Sequence, residues 1–200
     1  MKVYPEPMVA LMDELGKMPG VGKKTAERLA YYVFRLPTEE AMKLADAVRE
    51  VKTRIRYCSI CFNICETDPC ELCSDARRDR KTVCVVEEPK DVIAIEKMGR
   101  YNGTYHVLMG RIAPLDGAGP EDLTTEGLVE RVQRGDIEEV ILATNPNMEG
   151  DATALYVAQT LEGIDVKVTR IARGIPAGSS IEYVNSAILA DALVGRREVS

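Results

Sequence analysis

The 200-residue sequence predicts a chain of unlike parts: a helical N-terminal region, a small four-cysteine module, an α/β domain with a parallel sheet, and a C-terminal segment. Three observations carry that prediction. Apolar residues recur at helical spacing through about residue 56. Two Cys-x-x-Cys pairs, Cys58 with Cys61 and Cys70 with Cys73, then fall within sixteen residues. Beyond them, short apolar extended stretches alternate with helical ones, which is the pattern of parallel strands joined by crossover helices. The expected divisions are 1–56, 57–76, 80–173 and 174–200.

A hydrophobic content of 46% with 29% charged residues describes a soluble globular chain. No run reaches the length of a membrane span and the first residues lack a signal-peptide apolar core, so a cytoplasmic protein without membrane contact is expected. The net charge of −6 is unevenly spread: residues 1–56 balance to +3 and residues 81–200 to −7. So acidic a chain cannot coat nucleic acid with its whole surface, and any such contact belongs to a patch in the N-terminal part.

In chain order, Met8–Leu15 and Thr25–Phe34 read as two helices around Met18-Pro-Gly-Val-Gly-Lys-Lys24. Gly20 and Gly22 permit a tight hairpin with Val21 at the crossing, and they leave backbone N–H groups open at the start of the second helix, where the helix dipole favours an anion. The spacing excludes a P-loop, because Lys17 and Lys24 stand where glycine and Ser or Thr are required. This stretch resembles the helix-hairpin-helix motif, which grips the DNA backbone without reading sequence. The resemblance assigns phosphate contacts to Gly20, Gly22, Lys23, Lys24 and Arg28; a plain αα-hairpin with solvated lysines is the alternative. Thr38 is the expected N-cap of a third helix. The apolar face of that helix, Ala41, Leu44, Ala45, Val48, Val51 and Ile55, needs a partner surface, while Lys52, Arg54 and Arg56 read as a solvated face.

The double Cys-x-x-Cys pattern points four thiolates at one centre, a closed structural zinc site formed by Cys58, Cys61, Cys70 and Cys73. The residues between the pairs are too few and too polar to fold on their own, so metal binding would supply their folding free energy. Cys65 lies inside the loop as a substitute ligand or free thiol. A disulfide pair or redox motif is the alternative.

In the C-terminal part, strands are expected over 82–86, 104–109, 137–143 and 165–170, with helices near 89–98, 125–134 and 150–162. Gly99, Gly135 and Gly163 read as helix C-caps. Chemistry in such sheets lies beyond the carboxyl ends of the strands. The ends Val85-Val86-Glu87-Glu88 and Ala143-Thr144-Asn145-Pro146-Asn147-Met148-Glu149-Gly150-Asp151 resemble the Toprim domain, in which a glutamate and an Asp-x-Asp hold magnesium. Here Glu87 matches, but Asn145 and Asn147 replace both aspartates. Neutral amides bind a hard cation far more weakly than carboxylates, so a degenerate, non-catalytic domain is expected. Weak Mg²⁺ binding through Glu87, Glu149 and Asp151 stays open beside the reading of these as surface acids. The Gly110–Asp122 loop is long enough for a binding role, and the loop after Arg170 and Arg173 suits a phosphate or a subunit contact. His106 reads as structural, Cys84 as a buried apolar residue, and Ile181–Val194 as a helix needing cover from another subunit.

A helix-hairpin-helix, a four-cysteine module and a Toprim-like domain with Asn-x-Asn, in that order, resemble the RecR family of bacterial recombination mediators. The resemblance spans essentially the whole chain and is most specific at Cys58–Cys73, Val85–Glu87, Leu108–Gly110, Pro114–Gly117 and Ala143–Pro146. It implies a non-enzymatic DNA-repair protein with one structural zinc per chain, assembled as a tetrameric ring. It further implies action with RecO and RecF to help RecA replace single-strand-binding protein on gapped DNA, near the nucleoid. The acidic Toprim face, with Glu87, Glu88 and Glu149 beside Asn145, Asn147 and Asp151, would dock RecO. The competing expectation is a Mg²⁺-dependent Toprim enzyme, a nuclease, primase or topoisomerase-like phosphoryl transferase.

Overall fold

Residues 4–198 are described by the computed structural model, and the chain divides into two units between Ile55 and Arg56. In the first unit α1 (Glu6–Gly16) and α2 (Lys23–Arg35) form an αα-hairpin. Small residues on α2 allow the close approach: Ala26 and Ala30, one turn apart, are its buried residues. The turn between the helices needs Gly20, whose φ is +77°, in the left-handed region. The third helix, α3 (Thr38–Arg54), corrects one expectation. Thr38 is already inside the helix and makes no side-chain cap; Pro37, with ψ 142°, occupies the N-cap position. Leu44, Val48 and Val51 of α3 are all more than half exposed.

The second unit opens with a two-stranded antiparallel ribbon, β1 (Arg56–Tyr57) with β2 (Ile64–Cys65), followed by the single-turn helix α4 (Glu71–Ser74). Then come β3 (Asp79–Val86), α5 (Pro89–Met98), β4 (Gly103–Val107), α6 (Thr125–Gln133), β5 (Glu139–Leu142), α7 (Met148–Thr160), β6 (Lys167–Arg170) and α8 (Ser186–Val194). The four longer strands form one parallel sheet in the order β4-β3-β5-β6. Against the sequence expectation, β3 starts three residues early and α7 begins two residues early, at Met148, because Asn147 caps it by accepting the Gly150 N–H at 2.7 Å. The long loop before α6 contains two short 3₁₀ turns, Pro114–Asp116 and Pro120–Asp122, closed by a bridge between Ala113 and Ala118.

Each sheet face has its own core. One packs Val83, Val85, Val140 and Leu142 under Leu128 and Val132 of α6 and Val157 of α7. The other packs Cys84, Val86, Tyr105 and Val107 against Val92 of α5, with Phe62 and Leu72 of the cysteine module at its border. That module therefore belongs to the sheet domain. The chain leaves β3 toward β4 and leaves β5 toward β6, on opposite sides. The ends of β3 and β5 are thus the point where strand order reverses, and Glu87 and Asn145 stand there.

Candidate functional site

Cys58, Cys61, Cys70 and Cys73 bring their four sulfurs within 4.8 Å of one another, and all four residues are buried. A tetrahedral zinc with bonds of about 2.3 Å needs sulfurs about 3.8 Å apart; the Cys61 and Cys70 sulfurs are 3.5 Å apart, hydrogen-bonded and without a disulfide. Backbone N–H groups of Ile60 and Cys70 donate to Cys58 Sγ at 3.5 and 3.3 Å, the outer bonds that steady a thiolate. Within the cluster Cys70 is held low, chiefly because it accepts from Cys61, and Cys61 is pushed up for the same reason, so a proton is shared between neighbouring sulfurs where a metal would bind. The residues present therefore fit a zinc ion, whose binding would tie the two halves of the module together. Cys65 packs against the cluster from outside that sulfur group.

At the reversal of strand order, Glu87 is 2% exposed. Its carboxylate is taken by one residue: Oε1 accepts the Asn145 backbone N–H at 2.8 Å and Oε2 accepts Asn145 Nδ2 at 2.6 Å. The turn from Asn145 to Gly150 wraps this pair closely. A Cβ on Gly150 would lie 2.1 Å from the Asn145 carbonyl oxygen and 2.8 Å from Glu87 Oε1, so only glycine fits. The neighbouring acids are engaged as well. Glu149 pairs with Arg111, which also reaches Asp116 at 3.6 Å. Asp151 accepts from Arg170 at 2.5 Å and from Arg173, and the Arg173 bond above all pulls its carboxyl down to about 2. Asn147 is committed to its helix cap. Glu88 pairs with Lys90 at 2.7 Å and closes a capping box with Asp91 at the start of α5. The expectation of a surface acid at position 87 is thereby amended: burial and the Asn145 bonds make Glu87 interior, while Glu88, Glu149 and Asp151 of the expected docking acids reach solvent. Arg170 and Arg173, beside the loop expected to meet a phosphate or a subunit, both pair with Asp151, and Arg173 also reaches Asp191 at 3.8 Å.

In the first unit Gly22 is the N-cap of α2, Lys23 and Lys24 are its first two residues, and Arg28 follows one turn later; all four are exposed. Cβ atoms on Gly20 or Gly22 would meet open space, so backbone at this corner is accessible.

Family comparison places these three sites in one frame. A model for the RecR helix-hairpin-helix matches residues 8–52, a model for the RecR four-cysteine zinc finger domain matches 55–75, and a Toprim domain model matches 81–172. Recombination protein RecR of Rhodopirellula baltica is 51% identical over 189 residues, covering 94% of this chain and 95% of that protein. Recombination protein RecR of Koribacter versatilis is 51% identical over 199 residues, covering the full length of both. The chain belongs to the RecR family.

Membership makes it a recombination protein with a four-cysteine zinc finger and a Toprim domain. Among the described residues no helix is long and apolar enough to cross a membrane. Several residues that shape this RecR-family site escape sequence reading. Phe62 follows Cys61 with a left-handed φ of +61°, and its ring meets His106 edge-on at 5.3 Å. The Cys61 carbonyl accepts the Val107 N–H at 2.8 Å, and Arg131 donates to the Tyr105 carbonyl at 2.6 Å, so the module and α6 cover the outer edge of β4. Thr153 Oγ1 accepts the Ile112 N–H at 2.9 Å and holds the long loop to α7. These contacts depend on which loop lies beside which strand, and no local pattern announces them.

Proposed function

We propose that this chain is a non-enzymatic, DNA-binding mediator of recombinational repair. One observation carries the non-enzymatic part: Asn145 occupies both oxygens of Glu87 with N–H donors, where a Toprim enzyme needs acceptors around magnesium. With Glu149 and Asp151 also held by arginines, the strand ends present no free set of carboxylates, which argues against even weak Mg²⁺ binding. The proposed metal is one structural Zn²⁺ per chain, held by Cys58, Cys61, Cys70 and Cys73. DNA is gripped at Gly20, Gly22, Lys23, Lys24 and Arg28, by backbone N–H groups and cations that read phosphate rather than sequence. The family resemblance supports a cytoplasmic tetrameric ring working with RecO and RecF on gapped DNA. The exposed apolar faces of α3 and α8 suit its subunit contacts, and the side of Glu88 and Glu149 suits a basic RecO surface. DNA binding measured against salt tests the grip. Lys23→Glu and Arg28→Glu are each expected to weaken duplex binding and flatten its salt dependence by about one phosphate contact. Wild-type binding in both variants would remove the patch.

A further inference from the structure

The outward side of α2 carries more than phosphate-binding cations. At 3.6 residues per turn, Lys24, Arg28, Tyr31, Tyr32 and Arg35 fall within an arc of about 100°, opposite the buried Ala26 and Ala30. Arg28, Tyr31, Tyr32 and Arg35 line a groove of about 440 Å³ with Glu27. Tyr32 is 62% exposed and Tyr31 39%. Tyr31 is steadied by Tyr4, whose ring meets it edge-on at 6.2 Å and whose hydroxyl donates to Glu27 at 2.5 Å. Exposed rings between cations along one helix are poorly suited to duplex DNA, whose bases are stacked away inside. They match an unpaired strand, which offers phosphates to the arginines and base faces to the rings.

We infer that Arg28, Tyr31, Tyr32 and Arg35 form a base-stacking platform for single-stranded nucleic acid. It rests on the DNA-binding reading above and adds a strand preference: phosphate contacts at the hairpin serve any DNA, whereas the rings serve only exposed bases. Lys24, Arg28 and Arg35 on the same arc as the rings supply the cations that a phosphate backbone needs, which favours a nucleic-acid strand as the occupant.

The test uses the full-length, zinc-loaded protein and three probes of equal length: oligothymidylate, the same strand with abasic sites, and a duplex. Binding is read by fluorescence anisotropy at fixed salt, with sedimentation reporting oligomeric state. Tyr31→Leu with Tyr32→Leu is expected to weaken oligothymidylate binding by at least about tenfold, with the abasic strand and duplex changed less than about twofold. Tyr31→Phe with Tyr32→Phe retains the rings and is expected to retain binding. Equal loss on all three probes, or no loss on oligothymidylate, overturns the platform. So does an altered oligomeric state in the Leu variant, which would make this face a subunit contact. Wild-type duplex binding that responds to salt and to Lys23→Glu, beside Tyr variants that bind oligothymidylate normally, would sink the platform while leaving the mediator reading intact. Absence of any wild-type binding would remove both.

Discussion

Asn145 converts a metal-site geometry into a closed one by presenting N–H donors to Glu87. Asn145→Asp would put a second carboxylate within about 3 Å of the first, an arrangement that must take up a proton or a cation. That variant is expected to lose about 2 kcal/mol of stability without metal and to regain it with Mg²⁺. Thermal unfolding with and without Mg²⁺ decides this, and the same Mg²⁺ response in the wild type would count against the closed site. The amide positions are legible from their spacing after the third strand. The burial of Glu87 is not, because it depends on how the Asn145–Gly150 turn folds back across the strand end. His106 is legible as structural, and burial depresses it from 6.5 to about 4. Since its folded value lies below its unfolded one, this contribution is complete above about pH 6.5 and is lost as pH falls toward 4. The chain has a single histidine, so its imidazole proton NMR signal reports the site alone: a midpoint well below 6 is expected, and one near 6.5 would contradict the burial argument.

At the scale of elements, the cysteine module acts as an edge cover for the sheet. Its Cys61 carbonyl bonds β4, and Phe62 reaches His106 and the position of Gly127 on α6. Zinc binding supplies small modules with folding free energy on the order of 10 kcal/mol, so losing the metal should also uncover the β4 edge. Cys58→Ser or chelation is therefore expected to lower the unfolding temperature and to raise aggregation, without any change in DNA chemistry. Unaltered unfolding in a zinc-free preparation would refute this. Gly127→Ala tests the docking from the other side. The new Cβ would lie 2.8 Å from Phe62 Cε2, and the strain is expected to cost about 1–3 kcal/mol in denaturant unfolding. Helix and strand positions are readable because periodicity switches cleanly after the cysteines. The docking is hidden because Phe62 adopts a backbone conformation usually left to glycine.

For the whole molecule, the uneven charge seen in the sequence and the exposed apolar faces point to function through assembly. Leu44, Val48 and Val51 on α3, and Leu193 and Val194 on α8, are more than half exposed. If the proposed ring forms, Val48→Glu or Leu193→Glu is expected to shift sedimentation toward smaller species, and an unchanged profile in both would remove those faces from the proposed assembly. The need for cover is legible from apolar stripes with nothing local to bury them; which copy supplies it depends on quaternary geometry that one chain does not encode. The most direct test of the central claim measures DNA binding and DNA integrity on one zinc-loaded sample, with Mg²⁺ present and salt varied. The mediator account predicts binding that weakens with salt while the DNA stays uncut and its supercoiling unchanged. Mg²⁺-dependent cleavage or relaxation that Glu87→Gln abolishes would contradict it and turn the strand-end site into an enzyme's.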